Sequence, residues 1–145
     1  MVRTLAFLFT ATVCVAQPAA PVADRFTHIG VNDGLSQSSV TSIAQDRDGF
    51  MWFGTDDGLN RYDGVSFVVY RHIAGDSTSL LSSRIMDLHE DRHGTLWVGT
   101  QGGLQRLDRR SGLFHTVPGG PGTRDSPCGI IVRAVAETTD VTLWV

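Results

Sequence analysis

Residues 46–64 read DRDGFMWFGTDDGLNRYDG, and residues 91–108 return to nearly the same text as DRHGTLWVGTQGGLQRLD. Trp52 and Trp97 stand 45 residues apart. A degenerate third copy, VRAVAETTDVTLWV at 132–145, places Trp144 a further 47 residues on. A fixed period of this size marks an array in which no single unit buries its apolar surface alone, so the architecture lies among solenoids and propellers.

Working outward from the quoted stretch, the first unit reads as four short strands: VTSIAQ (40–45), FMWFGT (50–55), LNRYD (59–63) and SFVVYRH (66–72). The turns between them carry Asp48-Gly49, Asp56-Asp57-Gly58 and Asp63-Gly64, residues suited to the positive φ of tight hairpins. Four antiparallel strands joined this closely form a meander. The second unit repeats it as IMDLHE (85–90), TLWVGT (95–100), LQRLD (104–108) and LFHTV (113–117), with a looser turn at RRSG. Ahead of the array, FTHIGV (26–31) reads as an additional strand closed by a turn at Asn32-Asp33-Gly34. The third unit keeps Val132, Val135, Leu143 and Trp144 in register but has Val141 where Gly49 and Gly94 stand, so its first turn is expected to differ.

Phe50, Met51, Trp52 and Phe53 are apolar in succession, as are Leu96, Trp97 and Val98, whereas a strand wet on one side would alternate. Burial on both faces is what a blade needs when a similar blade packs on each side. Gly54 and Gly99 follow at once, where a backbone approaches its neighbour closely. A helical solenoid is excluded by the density of glycine and the lack of any apolar stripe at helical spacing. The fold class read from the sequence is therefore all-β: a β-propeller of four-stranded antiparallel blades. About two and a half blades are expected, as an N-terminal fragment. The divisions are a signal peptide at 1–16, a lead and first strand at 17–39, repeats at 40–84 and 85–131, and the start of a third repeat at 132–145.

The signal peptide rests on Arg3 followed by an apolar run from Leu5 to Ala16, shorter than the roughly 20 residues that span a bilayer. Cleavage is expected after Ala16, with Ala20 as the alternative. Val13 before Cys14 is larger than the small residue a lipidated cysteine prefers. In the secreted chain Cys128 would then have no partner for an internal disulfide. The segment PGGPGTRDSPCG (118–129) reads as an inter-blade loop. All twelve basic residues are arginine, against fifteen acids, for a formal charge of −3, and no basic patch recommends nucleic acid as a partner.

Several motifs resemble chemistry. His89-Glu90-Asp91-Arg92-His93 matches the zinc-protease signature, but that signature needs a helix to bring both histidines to one metal, and here it falls at a strand end running into a glycine turn. Asp46-x-Asp48-Gly49 begins like a calcium loop but has no glycine at the sixth position and no glutamate at the twelfth, so a turn-stabilising pair of aspartates is the better account. The Asp-box of sialidase-type propellers fails on Gln45 and Arg47. No serine, histidine and aspartate set sits in a nucleophile-elbow context, and no phosphate loop opens a helix. The reading names no catalytic, metal or cofactor-binding residue, and no cofactor.

The unit VTSIAQDRDGFMWFGTDDGLNRYDG resembles the two-component regulator propeller repeat. Asp46, Gly49, Trp52, Gly54, Thr55, Gly58, Leu59, Arg61 and Tyr62 carry the likeness in the first copy. Asp91, Gly94, Trp97, Gly99, Thr100, Gly103, Leu104 and Arg106 carry it in the second, with Leu107 in place of the aromatic residue. The resemblance implies a non-catalytic, ligand-sensing periplasmic segment of a bacterial receptor, most often a histidine kinase, otherwise a diguanylate cyclase or a transcriptional regulator. It further implies a small ligand of unassigned identity, with a saccharide as the first class to try. The rest of the receptor chain would be a partner, and the full-length form a homodimer anchored in the inner membrane. The loops at 55–58, 71–84, 100–103 and 118–130 are expected to share the face where such a ligand binds, with no single residue singled out. A secreted propeller enzyme acting on polysaccharide and a gene product without independent function are the other readings left open.

Overall fold

The computed structural model describes residues 26–118 and 129–145. The expected signal peptide, most of the lead, nearly all of the loop at 118–129 and both cysteines lie outside the described residues. Two four-stranded antiparallel sheets follow chain order. The first contains β1 (Val40–Gln45), β2 (Met51–Thr55), β3 (Gly58–Tyr62) and β4 (Phe67–Tyr70). The second contains β5 (Ile85–Glu90), β6 (Leu96–Thr100), β7 (Gly103–Asp108) and β8 (Leu113–Thr116). A short hairpin of β9 (Ala136–Glu137) and β10 (Leu143–Trp144) begins a third sheet. All eight strands read from the first two units are present, two with the expected bounds and the others with ends moved by one or two residues.

Alternation along each strand assigns the faces. Trp52 lies opposite Ala44 and Arg61, and this row points with Leu59 and Tyr70 towards the second sheet. The facing surface of the second sheet supplies Leu88, Leu96, Val98, Leu107 and Phe114, and the seam closes as one buried core with Leu80 and Ile85. Tyr70 stacks on Trp52 at 6.1 Å and meets Phe114 edge-on at 5.6 Å. Complete burial of a leucine or valine contributes roughly 1.5–3 kcal/mol, so this seam is what holds the two blades together. One period further on, Trp97, Leu104 and Val117 pack with Val132, Val135 and Leu143.

The glycine after each core tryptophan sets the spacing of these seams. A Cβ on Gly54 would lie 2.7 Å from Ile85 Cγ2 in the next blade, and one on Gly99 would lie 3.0 Å from both Val132 Cγ1 and the Val132 carbonyl oxygen. The sequence reading of close approach at these two positions is correct.

Each blade also fixes the loop that leads into it. Asn60 in β3 is fully buried, accepts the Ser36 N–H at 2.9 Å and donates to Ser36 Oγ at 2.9 Å. Gln105 in β7, equally buried, accepts the Leu81 N–H at 2.7 Å and donates to the Ser79 carbonyl at 3.1 Å. The repeating unit therefore starts in the loop before its first strand.

Two expectations are corrected. Residues 26–31 do not form a strand: 26–30 are irregular and Val31–Asp33 is a 3-10 turn. The Asp33 carboxylate accepts the Gly30 N–H at 2.8 Å, while the Asp33 and Gly34 N–H groups bond back to Gly30 and Val31, so local closure replaces a ladder. The first turn of the third unit also does not differ. Val141 N–H reaches the Thr138 carbonyl at 3.1 Å, as Gly49 reaches Asp46 at 3.0 Å and Gly94 reaches Asp91 at 2.9 Å. Val141 takes φ of 70°, which holds a β-branched side chain in the left-handed region that glycine fills freely. The hairpin imposes its geometry on the residue.

Candidate functional site

Within the described residues, the turns and crossovers expected to share a face do meet. Arg84, at the end of the 71–84 crossover, bonds through Nε to Asp56 Oδ1 at 2.7 Å, tying the β2–β3 turn of one blade to the first strand of the next. Arg71 pairs with Asp57 in the same turn at 2.9 Å. Gln101 N–H donates to the Arg84 carbonyl at 3.1 Å, and Gly129 N–H donates to the Gly102 carbonyl at 2.9 Å. A cleft of about 220 Å³ opens among Arg84, Met86, Gln101, Ile131 and Arg133. Its cationic groups can hold the acidic or hydroxyl groups of a polar ligand, and its aliphatic side chains a less polar face.

The opposite rim is built differently, around two equivalent aspartates. Asp46 Oδ1 accepts the N–H groups of Asp48 and Phe50 at 3.0 and 2.9 Å, and Oδ2 accepts the Trp52 indole N–H at 2.7 Å. Asp91 does the same for His93, Thr95 and Trp97, at 2.9, 2.8 and 2.9 Å. One carboxylate thus shapes the turn and orients the core tryptophan. Burial by itself would raise the Asp91 carboxyl, but the Thr95 and His93 N–H groups and the indole bring it below the usual range. The expected pair of turn-stabilising aspartates reduces to Asp46 alone, because the Asp48 carboxylate instead faces Arg109 at 3.1 Å.

Between the blades, Arg47 clamps the next unit. Its backbone N–H and Nε both donate to Glu90, at 3.1 and 2.9 Å, and Nη2 reaches the Arg92 carbonyl at 3.0 Å. Arg109 closes the group from the β7–β8 turn, donating to Glu90 at 2.6 Å and lying 3.7 Å from Asp46. Burial raises the Glu90 carboxyl, and the two guanidinium groups outweigh it and hold it below the ordinary carboxylate range.

The zinc-like motif dissolves into this arrangement. His89 lies in β5, His93 lies in the turn after it, Glu90 is held by two arginines, and the helix that the motif requires is not formed.

The family profile described as "Two component regulator propeller" matches residues 34–57 and 79–102. These two stretches are two-component regulator propeller repeats. Both matches begin in the lead-in loop and end within the β2–β3 or β6–β7 turn, so they include the loop held by the buried amide as well as the aspartate, tryptophan and glycine of the seam.

Among known proteins, the histidine kinase P4 of Formosa agariphila is 50% identical over 74 residues, which is 51% of this chain and 5% of that protein. The extracellular domain of the hybrid two-component system BT3049 from B. thetaiotaomicron superposes with a TM-score of 0.70 at 27% identity, covering 81% of this chain and 17% of that domain. The corresponding domain of BT4673 from the same organism gives 0.55 at 26% identity, over 72% of this chain and 14% of that one. The chain spans about one twentieth of the length of the histidine kinase and about one sixth of that of the solved domains. What it shares with them is propeller repeats, not a catalytic domain. No helix among the described residues is long and apolar enough to cross a membrane.

Sequence reasoning located the loop face but missed the clamp of the propeller repeats. Its signal was present: arginine at 47 and 92 and glutamate at 90 and 137 recur at the repeat spacing.

Proposed function

We propose that this segment belongs to the extracytoplasmic sensor of a bacterial two-component receptor of the histidine kinase type, and that its loop face takes a small ligand. The observation that carries the reading is the superposition on solved extracellular domains of two-component systems, together with repeats that match the regulator propeller profile. A saccharide is the first ligand class to try, since the cleft beside Arg84, Gln101 and Arg133 offers amide and guanidinium donors next to the aliphatic Met86 and Ile131. Binding there would change how one blade sits against the next, and the remainder of the receptor, as a homodimer, would carry that change to its output.

Two measurements test this, the first on residues 1–145 and the second on the full-length polypeptide. Alkaline phosphatase fused after Val145 should be active when the fusion is expressed in a Gram-negative host, and an inactive, stably expressed fusion would exclude the extracytoplasmic placement. Calorimetry against a panel of neutral, carboxylated and sulfated oligosaccharides should then give at least one binder whose affinity falls about tenfold in Arg84→Ala or Arg133→Ala, the loss of one charge-assisted contact. Binding that both substitutions leave unchanged would remove the ligand from this face.

A further inference from the structure

The clamp between blades recurs once in full. Arg92 donates its backbone N–H and Nε to Glu137, both at 3.0 Å, and its Nη1 and Nη2 reach the carbonyls of Thr139 and Thr138 at 2.9 and 2.7 Å. Strand pairing gives the equivalences without reference to sequence likeness. Glu90 stands opposite Leu96 and Glu137 opposite Leu143, and in the first blade the same place, opposite Met51, belongs to Gln45. Gln45 is exposed and neutral, whereas Glu90 and Glu137 are mostly covered by the arginine that each receives.

The face that carries Gln45 is the counterpart of a buried one. Ile43, Met51, Phe53, Tyr62 and Phe67 occupy on the first blade the rows that Leu88, Leu96, Val98, Leu107 and Phe114 occupy on the second. On the second blade those rows are packed under the first. On the first blade no sheet covers them among the described residues: Ile43 is 59% exposed, and Met51, Phe53, Tyr62 and Phe67 are half-buried. An aromatic group on this face is already ordered: Phe67 stacks on Tyr62 at 4.6 Å and lies 6.0 Å from Phe53.

We propose that this open face receives another blade of the same polypeptide, one whose first turn carries a neutral residue where Arg47 and Arg92 stand. The inference rests on the reading of the chain as part of a longer propeller receptor, in keeping with its covering 17% of the solved domain it matches. An arginine brought to this face would meet an amide instead of a carboxylate, and its charge would be left half-covered without a partner. Gln45 thus works as an address: blades offering arginine are directed to Glu90 and Glu137, and the remaining blade is directed here.

The test uses thermal unfolding of the full-length polypeptide, with two substitutions that report different things. Ile43→Asn should lower the midpoint by about 3 °C or more, because an amide would be buried against the incoming blade. An unchanged midpoint means that the face is open to water and overturns the proposal. Gln45→Glu should leave the midpoint unchanged or lower it, and a rise would reveal an arginine on the neighbour and equally overturn it. If Ile43→Asn does not fold, peroxide oxidation of Met51 in the unsubstituted polypeptide reads the same coverage. At least tenfold slower oxidation than in the urea-unfolded chain is expected, and equal rates refute it. Neither readout depends on export or on a ligand, so failure of the sensor reading is distinguishable from failure of this one.

Discussion

Gly54→Ala tests whether the backbone approach at the blade seam is as tight as the structure has it. The added Cβ would stand 2.7 Å from Ile85 Cγ2, 3.1 Å from Ile85 Cβ and 2.8 Å from Ser42 Oγ. Carbon atoms rest at about 3.5–4.0 Å, so Ile85, which is fully buried, would have to retreat by roughly an ångström. The serine hydroxyl can rotate away, but the isoleucine is wedged in the core. Overpacking of this kind costs about 1–3 kcal/mol, while alanine returns roughly 0.4–1 kcal/mol by restricting the unfolded chain, since Gly54 is not among the residues with positive φ. A net loss of about 1–2 kcal/mol is expected from urea unfolding followed by tryptophan fluorescence. Ile85→Ala alone should cost about 2–5 kcal/mol through the cavity it leaves. In that background Gly54→Ala should be neutral or stabilising, because its methyl fills the vacated space. If Gly54→Ala costs the same with isoleucine or alanine at 85, the two residues are not in contact and the account of the seam is wrong.

Three further outcomes follow from the rim. Asp91→Asn keeps an acceptor for the backbone but sets an amide N–H₂ against the Trp97 indole, so a loss of about 1.5–3 kcal/mol at neutral pH is expected, with a changed Trp97 emission maximum. Because the folded Asp91 carboxyl sits below its unfolded value, its contribution is present above about pH 4 and disappears as pH falls through the folded pKa. An Asp91→Asn chain with an unaltered acid-unfolding profile would contradict this. Arg109→Gln removes one of the two guanidinium groups that hold Glu90 down, so burial weighs more, the acid-unfolding midpoint moves to higher pH, and neutral stability falls by about 2 kcal/mol. Val141→Gly releases the left-handed strain at φ 70°, worth roughly 1–3 kcal/mol. Hydrogen exchange at the Thr138 N–H, which is bonded to the Thr142 carbonyl at 3.0 Å, should slow accordingly.

What the sequence revealed is what recurs locally. Glycine at 49 and 94, tryptophan at 52 and 97 and glycine at 54 and 99 each express a requirement met within a few residues or in the neighbouring unit, and repetition separates them from chance. FTHIGV misled because strand-like composition says nothing of a partner, and here Asp33 satisfies the chain locally. Val141 misled in the opposite sense, since pairing of Leu143 with Glu137 and Trp144 with Ala136 overrides the preference of one residue. Asn60 and Gln105 look like ordinary polar positions until their burial shows what they hold. The loop face could be placed from topology alone. Its cleft could not, because Arg84 and Arg133 stand 49 residues apart in the chain, on the irregular segments that lead into β5 and β9, between which nothing local is conspicuous.

The two rims of the seam differ in how firmly they are tied. On the loop side, Arg84 and Asp56 are 52% and 37% exposed, a pair that water and salt loosen at little cost. On the far side, the Glu90 and Asp46 side chains are 12% and 1% exposed and bound to several donors each. A pair of plates fastened in this way opens like a fan, pivoting about the buried edge and spreading at the exposed one. Whatever lodges between the loops has the long end of the lever.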